Sequence, residues 1–280
     1  MGNVYKSQLR QLAKKLEKKK ESGIVIEEGD SDDSDEFDDL GGTSKNMSDE
    51  TDPSKLIDLE LVKLLKFCDD LKNKYKETDE HQEEVMMKSL ELGKKTKEKT
   101  LILDMDETLI AAKFEGKQQK NFKTSFSFDF QKTQIHVCLR PYLADALEKL
   151  AQIYEIVVFT AGVQEYADPI LDRIDPDKTI FKRRLYRDTC IKTEQFFIKD
   201  LDVFMDREKK DMIIVDNSIL SFAFDLASGV PINSFMGDEE DDKDLLYLIS
   251  FLEEAFYQSD VRVACEESFK LQYFLSTVQG

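Results

Sequence analysis

From residue 99 onward the chain alternates apolar runs with amphipathic stretches, and their order predicts an architecture. Residues 100–103, 153–159, 212–215 and 230–233 are runs with little polar alternation. Such runs suit strands buried on both faces, as in a parallel sheet. Pro141 opens a helix that carries Leu143, Ala146, Leu147 and Leu150; residues 166–174 read as a second helix, in which Pro169 is tolerable only near the start. Asp244–Phe256 reads as a third, amphipathic one. Residues 181–186 and 196–198 are short β candidates. Two alternating runs, 122–130 and 135–139, are joined by a short polar stretch and predict a hairpin with His136 on one strand face. Strand, helix, strand, helix, strand predicts an α/β fold, a three-layer sandwich around a central parallel sheet.

Ahead of that region, Asp52 and Pro53 have the form of a helix N-cap and first position, and Leu56, Leu59, Leu61, Val62, Leu64, Leu65 and Phe67 continue at helical spacing to about residue 75. A weaker helix is expected over 80–92, around Val85, Met86, Leu90 and Leu92, then a linker over 93–99. These helices should dock on the core or on a partner. His81, alone among acids, reads as a solvated residue.

Charge divides the amino-terminal part further. The chain has 280 residues and a formal net charge of -18. Residues 1–26 carry seven Lys or Arg against two Glu, with Val4, Leu9, Leu12 and Leu16 on a rough helical face: a basic amphipathic arm. Residues 27–52 carry twelve acids against one Lys, too charged to offset the entropy of ordering, so a disordered linker is expected. The expected organisation is arm 1–26, linker 27–52, helical extension 53–98 and catalytic domain 99–280. About -12 remains on residues 53–280, which repels nucleic acid backbones, so no direct nucleic acid binding is expected. Partners should be proteins or cations. Cys68, Cys138, Cys190 and Cys265 form no C-x-x-C pair, which fits a reducing nuclear or cytosolic compartment. No apolar span of transmembrane length and no apolar leader is present in the sequence, so no transmembrane segment is expected.

The candidate chemistry lies where the buried runs end. Residues 100–103 run into Asp104-Met105-Asp106-Glu107-Thr108. Residues i and i+2 of an extended chain share one side, so both carboxylates can address one ligand, one as nucleophile and the other as proton donor. The bland alternative is a strand followed by an acidic turn. Two further runs end at Thr160 and at Asp216-Asn217, with Lys199 between them. In a parallel sheet these ends share one edge, where ligands bind. Two Asp, a Thr, a Lys and an Asp-Asn pair make a phosphate and hard-metal set.

With these motifs in order, the chain resembles the haloacid dehalogenase superfamily and, within it, the small C-terminal-domain phosphatases, over about residues 99–256. The residues that carry the resemblance are Leu103 to Leu109, Val158-Phe159-Thr160-Ala161 with Tyr166-Ala167-Asp168-Pro169, Arg184 to Arg187, Ile198-Lys199-Asp200-Leu201, and Val215-Asp216-Asn217-Ser218. The resemblance implies an aspartyl-phosphate on Asp104, Asp106 as acid and then base, and Thr160, Lys199 and Arg187 on the phosphate. It also implies Mg2+ held by Asp104, the Asp106 backbone carbonyl and Asn217, with Asp216 nearby. Gln195, Ile219 and Ala111 stand where the family usually has Gly, Pro and His; none is a catalytic group, so they bear on loop geometry and substrate fit.

Spacing bears on the substrate. Residues 110–140 hold little more than a hairpin and 160–199 little more than a helix and short strands, so no large cap domain is expected and the site should lie open. That suits phosphorylated protein segments. The favoured expectation is a magnesium-dependent protein serine/threonine phosphatase, with the RNA polymerase II carboxy-terminal domain as one candidate substrate. The alternatives are a catalytically weak or inactive phosphoprotein-binding scaffold of the same fold, a non-catalytic binding module like the relatives of this fold that serve as receptors in mitochondrial protein import, and a small-metabolite phosphatase, which the missing cap opposes.

Overall fold

A computed structural model describes residues 53–116, 121–238 and 241–276, with side chains from residue 61 onward. The basic arm, the acidic linker and the Asp52 cap lie outside the described residues. Helices α1 (Pro53–Tyr75) and α2 (Asp79–Lys88) lead to β1 (Lys99–Leu103) and a three-stranded insert, β2 (Ile110–Phe114), β3 (Phe126–Phe130) and β4 (Thr133–Leu139). Helix α3 (Leu143–Ile153), β5 (Tyr154–Phe159), α4 (Gln164–Ile174), β6 (Phe181–Leu185), β7 (Ile191–Lys192), β8 (Phe197–Ile198) and β9 (Met212–Asp216) follow. A 3-10 segment (Ile219–Ser228), β10 (Gly229–Pro231), α5 (Asp244–Phe256), α6 (Val261–Phe269) and α7 (Leu271–Ser276) complete the order.

Five strands pair in the order β10-β9-β1-β5-β6, all parallel. Every residue of β1, β5 and β9 is buried, so both faces of the sheet are covered, giving the expected three-layer α/β fold. Leu101 at the centre pairs with Ile156 on one side and Ile213 on the other. The expected hairpin forms from β3 and β4, turning through Gln131 and Lys132, both at left-handed φ (46° and 67°). It gains a third strand, because β2 pairs antiparallel with β4. In sequence β2 merges with the acidic turn before it, which hid it. Helix α4 starts two residues earlier than expected and keeps Pro169 inside, at its sixth position. There the proline forgoes only the bond to the Glu165 carbonyl.

The amino-terminal helices dock on this core: Leu61, Leu65, Cys68 and Leu71 of α1 share one apolar cluster with the sheet. Helix α2 ends at Lys88 rather than near 92, because Leu90 leaves it to bond the 203–205 segment, its amide donating to the Val203 carbonyl at 2.8 Å and its carbonyl accepting from Met205. The Leu92 and Gly93 amides then donate to the Asp206 carboxylate at 3.0 and 2.8 Å. His81 is not solvated: it is 7% exposed and its Nε2 lies 2.8 Å from Asp200 Oδ2. Its partner is 119 residues away, so local charge pattern could not reveal the burial. Among the described residues no helix is long and apolar enough to cross a membrane.

Candidate active site

Strand β1 delivers Asp104 to the carboxyl edge of the sheet. The Asp104 amide still donates to the Val215 carbonyl at 3.0 Å, which keeps the residue in line with the strand. The chain then leaves the sheet in a turn where the Leu109 and Ile110 amides return to the Met105 carbonyl at 2.9 and 3.1 Å and Glu107 adopts a left-handed φ of 59°. Asp104 is left buried and Asp106 half-buried.

A cleft of about 580 Å3 opens at this edge, and Asp104, Asp106, Thr160, Arg187, Lys199, Asp216 and Asn217 all line it. The set picked from the sequence is therefore one constellation. Lys199 is its hub: Nζ donates to Asp104 at 2.5 Å and to Asp216 at 2.6 Å. Both acids hold its ammonium charged, against the pull of burial. One positive charge shared by two buried carboxylates leaves negative charge in excess. Burial first, and the Asp104 charge second, push the Asp216 carboxyl up to about 7.

Asp106 has different company. Its carboxylate accepts from the Tyr166 hydroxyl at 2.5 Å rather than from an ammonium. Burial lifts it to about 7, although the Tyr166 bond pulls the other way. In the sequence Tyr166 stands inside the Tyr166-Ala167-Asp168-Pro169 motif with no role of its own. The readable signal was its place in the first turn of the helix that follows a buried strand, since such helix starts lie at the ligand-binding edge. Thr160, on the loop after β5, accepts from the Gly162 amide at 2.9 Å. A Cβ at Gly162 would lie 3.1 Å from the Tyr166 ring and 3.2 Å from Thr160 Oγ1, so a side chain there would crowd both groups. Arg187 anchors to the Ala161 carbonyl at 2.6 Å and lies over the Phe197 ring at 5.1 Å.

Asn217 is fixed from the loop that follows Asp104. Its backbone amide donates to Thr108 Oγ1 at 3.2 Å, and its side-chain nitrogen donates to Glu107 and Ser234, each at 3.0 Å. That orientation leaves the amide oxygen with only a long contact to Thr108, at 3.4 Å. Among the described residues no three His, Cys, Asp or Glu side chains converge on one point. A cation here would combine Asp104 and Asp216 with amide, carbonyl and water oxygens. An all-oxygen set with excess negative charge fits a small hard cation that keeps several waters. The insert supplies the rim through Phe114, Phe130 and Gln131; Phe128 and Phe130 pack against Tyr166.

Comparison with known proteins agrees with this arrangement. The NLI interacting factor-like phosphatase family matches residues 99–262. The chain is 38% identical over 63% of its length to CTD small phosphatase-like protein 2 of Dictyostelium discoideum, and 38% identical over 61% to a probable C-terminal domain small phosphatase of the same organism. It is 35% identical over 61% to the human CTD small phosphatase-like protein. The matched stretches span 31%, 55% and 60% of those relatives. With more than half of its residues matched in sequence, and with the parallel sheet bringing the matched motifs to one cleft, the chain belongs to the NLI interacting factor-like phosphatase family.

Proposed function

We propose that the chain is a magnesium-dependent protein serine/threonine phosphatase that works through an aspartyl-phosphate on Asp104. The observation that carries this reading is the division of labour between two carboxylates in one cleft: Asp104 is bonded to an ammonium, as a nucleophile needs, while Asp106 is held near 7 by burial, as a proton donor needs. In the first step an Asp104 oxygen attacks phosphorus, the bond from phosphorus to the serine or threonine oxygen breaks, and Asp106 gives that oxygen its proton. In the second, Asp106 takes a proton from water as the water oxygen attacks phosphorus, and the bond to Asp104 breaks to release phosphate.

Lys199, Thr160 and Arg187 would hold the phosphoryl oxygens. A magnesium ion at Asp104, Asp216, Asn217 and the Asp106 carbonyl would neutralise charge on the phosphoryl group. Uncatalysed phosphate-monoester hydrolysis calls for acceleration of up to about 10²¹-fold, roughly 28 kcal/mol. A charged hydrogen bond contributes about 1.5–3 kcal/mol, so the groups must act as a set. Every member of that set is present in the cleft, which favours an enzyme over a catalytically weak or inactive phosphoprotein-binding scaffold.

Between β1 and β5 the described chain adds only the three-stranded insert and α3. An open cleft of this kind suits phosphorylated protein segments, and phosphoserines of the RNA polymerase II carboxy-terminal domain are the first substrate to try. The test is hydrolysis of a phosphopeptide panel with and without magnesium, comparing the unaltered chain with Asp104→Asn. Magnesium-dependent turnover that Asp104→Asn abolishes, together with phosphoenzyme formation, is expected. Substantial turnover by Asp104→Asn would sink the assignment.

A further inference from the structure

Asp200 follows Lys199 directly, and its carboxylate is fully buried. Three groups satisfy it: Lys76 Nζ at 3.1 Å, His81 Nε2 at 2.8 Å and the Asp202 amide at 2.9 Å. Because a carboxylate only accepts, His81 Nε2 carries the proton. His81 Nδ1 is buried with no partner among the described residues, a cost the structure bears to put Nε2 on Asp200. Lys76 also reaches Asp202 at 2.9 Å, and Lys209 bridges Asp202 and Asp225 at 2.6 and 2.7 Å. Asp225 accepts from the Leu201 amide at 3.0 Å, and the Lys199 amide donates to the Ser221 carbonyl at 2.6 Å. The backbone beneath Lys199 is thus fixed partly by its own region and partly by α1–α2, which lie outside the 99–262 match.

We infer that His81 and Lys76 are positioning residues for Lys199, so that the amino-terminal helices are a working part of the site. Neither lines the cleft. They hold Asp200, and Asp200 sets where the neighbouring lysine starts its reach to Asp104 and Asp216. A group misplaced by about 1 Å can lose roughly 100-fold in rate, so a small shift of this loop matters.

The inference rests on the phosphatase reading and is tested in the full chain with magnesium, on nitrophenyl phosphate and on a phosphoserine peptide. His81→Ala should lower kcat by about 10- to 100-fold, by the same factor on both substrates, because Lys199 acts on the phosphoryl group and not on the leaving oxygen. His81→Gln, whose amide N–H lies close to the Nε2 position, should restore kcat to within about threefold of the parent. Leu71→Ala, a core truncation in the same helical extension, should lower Tm at least as far as His81→Ala yet leave kcat within about twofold. A kcat for His81→Ala within about twofold of the parent overturns the inference, as does a His81→Gln no better than alanine or a Leu71→Ala that costs as much kcat. The two readings fail separately. No turnover by the unaltered chain overturns the phosphatase reading and this inference with it, whereas turnover indifferent to His81 overturns only the inference.

Discussion

Replacing Tyr166 by Phe deletes one hydroxyl and keeps the ring that packs on Phe128 and Phe130, with centroids 6.3 and 5.8 Å away. That hydroxyl donates to the ionised form of Asp106 and so holds its carboxyl below where burial alone would put it. A hydrogen bond to a charged group contributes about 1.5–3 kcal/mol, and one pKa unit corresponds to about 1.4 kcal/mol, so Asp106 should rise by about one to two units from near 7. The sign of the kinetic effect follows from its two roles. As the acid of the first step Asp106 must be protonated, so the alkaline limb of kcat/KM for a phosphoserine peptide should move up by about one to two pH units. As the base of the second step it must be ionised, so phosphoenzyme hydrolysis near pH 7 should slow by about 5- to 50-fold. The assay is a pair of profiles between about pH 5.5 and 9.5, steady state for the first limb and single turnover for the second. Limbs that coincide within about 0.3 unit in the two proteins would refute the acid-base assignment of Asp106, whatever the absolute rates.

Asp106→Asn should still form phosphoenzyme from nitrophenyl phosphate but fail with phosphoserine, whose oxygen needs a proton to leave; equal losses on both would contradict the acid role. The same substitution should change stability in a pH-dependent way. Burial raises Asp106 from its ordinary 3.8 to about 7, so the folded state keeps a proton that the unfolded state releases, and stability falls as pH rises through that window. Asparagine is neutral throughout, so in cation-free buffer the variant should be more stable than the parent above about pH 7 and equal to it below about pH 4. A gain of equal size at both ends, read by thermal denaturation, would count against the burial argument. Lys199→Met leaves Asp104 and Asp216 buried without their ammonium and should cost about 3–5 kcal/mol near neutral pH, less in acid. Urea titration with no loss would contradict the hub role. Removing residues 1–50 should leave turnover of nitrophenyl phosphate intact, since their charge density opposes packing; a truncated chain that fails to fold would argue otherwise.

The sheet and its catalytic edge were legible because double-sided burial writes itself as an unbroken apolar run, and because chemistry sits where such a run stops. Residues 100–103 and 212–215 end at Asp104 and Asp216, and the structure joins those ends through Lys199. Strand β2 was illegible because its five residues follow the acidic turn without a break, and only pairing with β4 makes them a strand. Helices α6 and α7 are illegible in the sequence because segments of nine and six residues are too short to display a helical period. The Tyr166 to Asp106 bond and the His81 to Asp200 bond depend on residues 60 and 119 positions apart, and no local pattern encodes such a meeting.

The central position of β1 has a consequence for biosynthesis. Its partners come from residues 154–158 on one side and 212–215 on the other, so a ribosome that has released β1 must still make more than a hundred residues before the second edge is covered. Non-local parallel pairing of this sort is slow to form, and an uncovered edge invites pairing with other chains. A nascent chain stalled before residue 212 would expose β1 and could not present Asp216 or Asn217 at all. Chaperone dependence and aggregation in cells should therefore track how quickly the 212–231 stretch emerges.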